Sequence, residues 1–320
     1  MRAIVRREYG APETLQLVEM AVPTVGPDDV LIKVYASSVN PYDWHLVRGE
    51  PYLARAGGLR KPKDPNMGID VAGTVCALGA NVHGFEVGDE VFGGGRGTLA
   101  EFALSSEGRL VKKPSGLTFE SAAAIPCAGV TALQGLRDKG EVQGGQSVLI
   151  NGAAGGVGTF GVQIAKSMGA IVTGVCSTRN LDFVRSIGAD DVVDYTCEDF
   201  ALRQKKFDVI LDTVGNRSLS DLRRALTARG TLVEVGGAGG KWLGPASLML
   251  KAAATSRIVR HQLRPMIAKI TSEDLLALLA LIETGKLVPI VDRTYSLDQG
   301  PTAIAYLEEG HARGKVVVVV

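Results

Sequence analysis

The sequence predicts an α/β protein in which a doubly wound parallel sheet follows a β-rich first third. Three observations carry this expectation. Residues 147–158 read as strand, glycine turn and helix. From residue 147 onward, six strand candidates alternate with helical segments. Residues 1 to about 115 hold short apolar runs separated by Pro and Gly. A chain of 320 residues has the length of about two domains.

The β-rich part is read from Ala3-Ile-Val5, Leu15-Gln-Leu-Val18 and Val30-Leu-Ile-Lys-Val-Tyr35, punctuated by Pro23, Gly26-Pro27 and Gly57-Gly58. Asp70 to Val75, Glu90 to Phe92, Leu99 to Ala103 and Leu110-Val111 continue it, and Pro41 to Val47 suits one short helical turn. Thr118 is placed to cap a helix with Glu120 in its first turn, where the helix dipole favours an anion. Strands are expected at 147–151, Ile171 to Cys176, Asp191 to Tyr195, Asp208 to Asp212, Thr231 to Val235 and Arg257 to His261. Helices are expected at 180–187 and 217–227, then at Ser272 to Thr284 and Asp298 to Glu309, ahead of the valine strand Val316 to Val320. Six strands with crossover helices are what a doubly wound sheet requires.

Composition excludes several classes. Lys+Arg 35 against Asp+Glu 34 leaves a net charge of +1, and no basic block stands out, which argues against nucleic-acid binding. No apolar run approaches the ~18 residues of a membrane span, and the charged start Met1-Arg-Ala-Ile-Val-Arg-Arg-Glu8 is unlike a signal peptide. Cys76, Cys127, Cys176 and Cys197 are scattered. That suits a reducing cytoplasm and neither a disulfide framework nor a cysteine-rich zinc lobe.

Ser147-Val-Leu-Ile-Asn-Gly-Ala-Ala-Gly-Gly-Val-Gly158 places an almost side-chain-free loop between a strand and a helix. Val157, Phe160, Gly161, Ile164, Ala165 and Met168 recur at helical spacing on that helix. This is the context of a dinucleotide site. Gly155 allows the backbone close to a pyrophosphate, Gly158 allows the helix close to the strand, and the helix N-terminus offers N–H groups. A glycine-rich turn can also be only a tight connection, and Ala153 stands where the usual pattern has its first glycine. About 20 residues on, an NAD-selecting site usually carries Asp or Glu. Here the second strand ends Val175-Cys176 and continues Ser177-Thr-Arg-Asn180. Ser177 can donate to a 2′-phosphate and Arg179 can fork onto it, which favours NADPH, although Arg179 also suits a solvated loop. Asn180 is expected to cap the next helix.

These motifs together resemble the zinc-free quinone oxidoreductases of the medium-chain dehydrogenase/reductase superfamily. The resemblance rests on Ser38-Val-Asn-Pro-Tyr-Asp43, Gly68-Ile-Asp-Val-Ala-Gly73, Val87-Gly-Asp-Glu-Val-Phe92, Cys127-Ala-Gly-Val-Thr-Ala132, the Ala153–Gly158 loop, Asp212-Thr-Val-Gly215 and Gly314-Lys-Val-Val317. It implies a Rossmann sheet inserted in a β-rich GroES-like domain. Residues 1–121 and 263–320 would form the GroES-like substrate domain, 122–262 the NADPH-binding domain, and the active site would lie between them. By resemblance the cofactor meets Thr131, Ala154, Gly155, Gly156, Val157, Ser177, Arg179, Tyr195, Val214 and Gly236. Tyr195 packs by the 2′-phosphate in this reading, and Lys315 reaches the same cofactor or is merely solvated.

The positions of the catalytic zinc ligands in metal-using relatives fall on Asn40, Ile69 and Cys127. Only Cys127 suits zinc, Asp70 would be a single hard ligand beside it, and no metal is expected. Cys127 then reads as a small buried apolar residue. By resemblance Asn40 lies near the substrate oxygen and donates to it as charge develops, though an Asn-Pro pair also marks a turn. His45 stands where relatives carry a Tyr or a proton-relaying His. Its other reading is a partly buried histidine, and Tyr42 and Tyr52 are further candidates. The expected activity is an NADPH-dependent, zinc-independent reduction of quinones or conjugated carbonyls by a cytoplasmic homodimer paired near Arg257 to His261. The alternatives are an alcohol dehydrogenase or enoyl-thioester reductase on the same fold, and an NADPH-binding sensor or structural protein with little turnover.

Overall fold

The computed structural model describes residues 1–235 and 260–320. Its strands and helices belong to two units, Met1–Val130 with Lys269–Leu279 and Pro289–Val320, and Thr131–Ala268 with Ala280–Val288.

The first unit opens with β1 (Arg2–Val5) and β2 (Gln16–Glu19), an antiparallel pair. β3 (Asp29–Val39) organises the rest: Val30, Ile32, Val34 and Ala36 recur at every second position and are all buried, as one core-facing side of a strand requires. α1 (Pro41–Arg48) follows directly, with Pro in its first turn and Gly49 closing it at a φ of 60°. It is a full eight-residue helix where the sequence suggested a single turn. β4 (Asp70–Leu78), β5 (Glu90–Arg96) and β6 (Phe102–Lys112) then run as an antiparallel series, and β6 returns to pair with β3. This closes β3, β4, β5 and β6 on one another. The Leu99 to Ala103 and Leu110-Val111 candidates resolve into the one strand β6, with Ala100 outside it as a lone bridge to Ala3. The polar Ser105 and Ser106 hid the continuity; the Ser105 hydroxyl is spent on Gly94 O. α2 (Phe119–Ala123) is capped by Thr118, whose hydroxyl accepts the Ser121 N–H at 3.2 Å. α3 is Pro126–Gln134.

In the second unit β7 (Ser147–Asn151), β8 (Ile171–Cys176), β9 (Asp191–Asp194), β10 (Phe207–Asp212), β11 (Leu226–Glu234) and β12 (Gln262–Pro265) form one sheet in the order β9-β8-β7-β10-β11-β12. Every pairing is parallel, which is the doubly wound order with its switch point between β7 and β10. The crossovers include α4 (Gly156–Ser167), α5 (Leu181–Ser186) and α6 (Leu219–Ala225). α4 is buried from Gly158 to Ala165, and Leu149, Ile210, Leu232 and Leu263 join the core on one face of the sheet. β11 starts five residues earlier than Thr231, with an irregular register between Phe207 and Val209 of β10. The sixth strand candidate, Arg257 to His261, begins outside the described residues, and β12 follows it. Asn180 sits at the start of α5 without capping it: its amide reaches back to Ser177 Oγ at 3.3 Å.

The chain closes with α7 (Ser272–Glu283), β13 (Val291–Ser296), α8 (Gly300–Glu308) and β14 (Lys315–Val319). β14 lies between β13 and the C-terminal half of β3. In this way the last strand becomes the neighbour of Ser38, Val39 and Asn40.

Candidate active site

The glycine turn is built by backbone needs. Gly152 follows β7 at a φ of 84°, a region that favours glycine. A Cβ on Gly158 would stand 2.0 Å from Gly152 O, so no side chain fits between α4 and the turn. Ala154, Gly155, Gly156 and Val157 come together at the start of α4, with Gly155 in the N-cap position. The first N–H groups of a helix have no partner within it, and the helix dipole adds positive potential there. These residues fit a pyrophosphate. Thr131 is buried in α3, Val214 is exposed just past β10, and Gly236 lies outside the described residues.

At the end of β8, Ser177 is half-buried while Arg179 is exposed in the turn Thr178–Asn180. The carboxylate that sequence reasoning sought on β8 stands one strand over. Asp194 is the partner of Cys176 across the β8/β9 pairing. It accepts the Thr178 hydroxyl at 2.5 Å and the Thr196 hydroxyl at 2.7 Å, and these bonds hold it down to about 2. It therefore puts a fixed negative charge beside Thr178. Tyr195, expected by the 2′-phosphate, is exposed next to it.

A second group was missed because its members are far apart in sequence. Asn151, Asp212 and Glu234 are register partners at the C-terminal ends of β7, β10 and β11. The Asn151 amide donates to Asp212 Oδ1 at 2.8 Å, and the N–H groups of Val214 and Gly215 converge on the same oxygen. Glu234 is 4% exposed and neither of its oxygens has a hydrogen-bond partner. Burial and the neighbouring Asp212 push its carboxyl up to about 7. The signal available in sequence was a polar residue ending each of three apolar strands.

In the first unit the two expected catalytic residues have other commitments. Asn40 follows β3 directly, in the N-cap position of α1, and is buried. Its Nδ2 donates to Asp70 Oδ2 at 2.9 Å and to Ser38 O at 3.2 Å, and its Oδ1 accepts from Lys315 Nζ. Both N–H groups that were expected to meet a substrate oxygen are thus engaged by the protein. Lys315 is likewise buried and donates to Val39 O at 3.1 Å, so it is not the solvated lysine that the sequence allowed. Asp43 accepts the Asn40 N–H at 2.7 Å; its other oxygen is buried without a partner, and burial pushes the carboxyl up to about 7. His45 Nδ1 meets Glu50 O at 2.7 Å. A carbonyl only accepts, so this nitrogen carries the proton. Burial lowers the pKa of the ring below its ordinary value, so at neutral pH the single N–H of His45 is spent on Glu50. Tyr42 is exposed, Tyr52 lies under the Arg55 guanidinium, and Cys127 is only partly buried.

Residues 26–115 match the model of the alcohol dehydrogenase GroES-like domain, and residues 187–318 match that of a zinc-binding dehydrogenase. The chloroplast envelope quinone oxidoreductase homolog of Arabidopsis thaliana is 34% identical over 334 residues, covering 99% of this chain and 98% of that protein. The mitochondrial NAD(P)H oxidoreductase RTN4IP1 of Mus musculus is 35% identical over 99% of this chain and 89% of its own length. The solved quinone oxidoreductase of Coxiella burnetii superposes with a TM-score of 0.89 at 32% identity, over 100% of this chain and 99% of that one. The chain belongs to the medium-chain dehydrogenase/reductase superfamily as a quinone oxidoreductase-like member. It is an oxidoreductase, with the GroES-like and Rossmann-like parts of that superfamily.

Zinc in this superfamily needs thiolate, imidazole or carboxylate ligands. The positions in question here hold a committed amide at Asn40, an apolar Ile69 and Cys127, with Asp70 beside them. The Asp70 carboxylate is already taken by Cys127 N–H at 2.9 Å, by Ser38 and by Asn40, with the Lys315 ammonium 3.5 Å away. An ammonium at that distance opposes a divalent cation, and these residues do not fit a zinc ion. Among the described residues, no helix is long and apolar enough to cross a membrane.

Proposed function

We propose that this oxidoreductase uses NADPH, without zinc, to reduce quinones or conjugated carbonyls whose oxygen binds at the Asn40 end of β3. The observation that carries the reading is the turn Gly152–Gly158, a glycine cradle at a helix N-terminus that fits a dinucleotide phosphate. When bound, NADPH supplies a hydride to an electron-poor carbon. The chain positions the reactants and manages charge. Ser177 and Arg179 favour the 2′-phosphate, against the opposing charge of Asp194. Asn40 and His45 have no uncommitted N–H, so the acceptor oxygen takes its proton from solvent. Quinones and enones suit such a site, because their reduced anions are delocalised and need no strong Lewis acid. The names of the two quinone oxidoreductase relatives support the acceptor class.

Among the described residues, Cys76, Cys127, Cys176 and Cys197 are in no disulfide, which suits a reducing compartment such as the cytoplasm. The proposed homodimer contact begins outside the described residues.

Two measurements test the reading. NADPH should bind about tenfold more tightly than NADH, about 1.4 kcal/mol; Arg179→Ala should remove most of that preference, and Asp194→Asn should increase it a few-fold. NADPH oxidation should then be followed with a panel of quinones, enones, simple aldehydes and enoyl thioesters. Equal affinity for the two cofactors rejects the 2′-phosphate assignment. Turnover confined to simple aldehydes or thioesters rejects the acceptor class.

A further inference from the structure

Groups from three elements converge on one fully buried carboxylate of a fourth. Asp70 begins β4, and its Oδ1 accepts the Cys127 N–H at 2.9 Å, at the start of α3. Its Oδ2 accepts the Ser38 hydroxyl at 2.6 Å and Asn40 Nδ2 at 2.9 Å, both from the end of β3. Lys315, the first residue of β14, brings its Nζ to 3.5 Å from the same oxygen while donating to Val39 O and to Asn40 Oδ1.

The chemistry of these partners decides which way the Asn40 amide points. An ammonium only donates and a carboxylate only accepts. Oδ1 must therefore face Lys315, and Nδ2 must face Asp70. The second N–H of Nδ2 goes to Ser38 O at 3.2 Å. What the amide still offers is a lone pair on Oδ1. Take the ammonium away, and Oδ1 loses the donor that holds it, while Asp70 keeps only the Arg109 guanidinium as a counter-charge. Asp43, 2.7 Å from the Asn40 N–H, is a second carboxyl in the same place. Hydride transfer puts negative charge on the acceptor oxygen, and a nearby uncompensated carboxylate opposes that charge.

We propose that Lys315 is a positioning residue of the reduction site: its ammonium orients the Asn40 carboxamide and offsets the Asp70 carboxylate, so that the acceptor oxygen meets a neutral, rigid group. This rests on the reading that the acceptor oxygen binds beside Asn40.

The test compares Lys315→Met, Asp70→Asn and the double variant, by thermal unfolding and by NADPH oxidation with a naphthoquinone. Lys315→Met should be strongly destabilised, and the double variant should recover most of the lost Tm because the unpaired charge is gone. In the double variant kcat should stay at least tenfold below that of Asp70→Asn, with the KM for NADPH changed less than twofold. A double variant with the kcat of Asp70→Asn overturns the proposal, because Lys315 then only balances charge. A double variant without a cooperative unfolding transition overturns it too, since the group would then be a folding element. If the unmutated protein oxidises NADPH with neither quinone nor enone, the functional reading has failed instead. The unfolding arm needs no acceptor, and there additive effects of the two single changes would remove the coupling on which the proposal stands.

Discussion

At the start of α4 the chain withdraws its side chains, and at the start of β14 it crowds them together. The turn Gly152–Gly158 has one residue where even a methyl group collides with backbone, at 2.0 Å. The group around Asp70 has a carboxylate, an amide, a hydroxyl and an ammonium joined within 3.5 Å. The first arrangement offers backbone N–H groups to a ligand that brings its own charge. The second satisfies its polar groups internally and turns little toward a ligand. An opening fit for a phosphate is made by removing atoms, whereas a buried polar group is kept in place by balancing its members against each other.

The comparison can be broken by exchanging the effects. Asn40→Ala should cost about 4 kcal/mol of stability, because it leaves a buried ammonium and a buried carboxylate each short of a hydrogen bond, and bonds to charged groups are worth ~1.5–3 kcal/mol each. Chemical denaturation checks this, and NADPH affinity of the folded fraction should stay within twofold. If Asn40→Ala is as stable as the parent and loses only kcat, the group is not internally balanced and the amide acts directly on the substrate.

Gly158→Ala should act in the opposite way. Pushing α4 off the turn costs about 3 kcal/mol, and because the phosphate cradle opens, titration should show NADPH affinity falling at least tenfold. A variant with unchanged affinity would show that the tight approach of Gly158 to Gly152 O has no bearing on the cofactor.

Glu234 sharpens the comparison, since it is the one described carboxylate in the second unit that is buried with both oxygens unpartnered. Its pKa is raised from 4.5 to about 7. An acid whose folded pKa lies above its unfolded value holds extra protons in the folded state between the two. Its contribution to stability is complete below pH 4.5 and is lost as pH rises toward 7. Glu234→Gln should therefore be stabilising by about 2 kcal/mol at pH 8 and by nothing measurable at pH 4. Asp43 shifts in the same direction over the same window, so part of the alkaline loss should survive in the variant. An equal effect of Glu234→Gln at both pH values would mean that packing, and not ionisation, governs the position.

Much of the second unit was legible in the sequence. Strands Ser147–Asn151 and Ile171–Cys176 stood at their observed boundaries, because parallel strands buried on both faces are short unbroken apolar runs. The glycine turn was legible for a related reason: its backbone requirements fall on consecutive residues. The first unit was harder. β6 was read as two pieces, because a strand in a closed sheet tolerates a buried Ser105 where the Gly94 carbonyl takes its hydroxyl.

Asn40 and His45 show the limit most clearly. By resemblance both were expected near the chemistry, each donating a proton or hydrogen bond. Their donors are instead used up by Asp70, Ser38 and Glu50. Lys315 is 275 residues from Asn40, and Asp70 is 30 residues away. No local pattern links the three. The sequence by itself determined the glycine turn, the strand rhythm and the family, since each follows from backbone conformation or from side-chain periodicity along one segment. Only the tertiary structure decided which hydrogen bonds remain available, because that depends on which distant strand, here β14 beside β3, brings its ammonium to the same buried place.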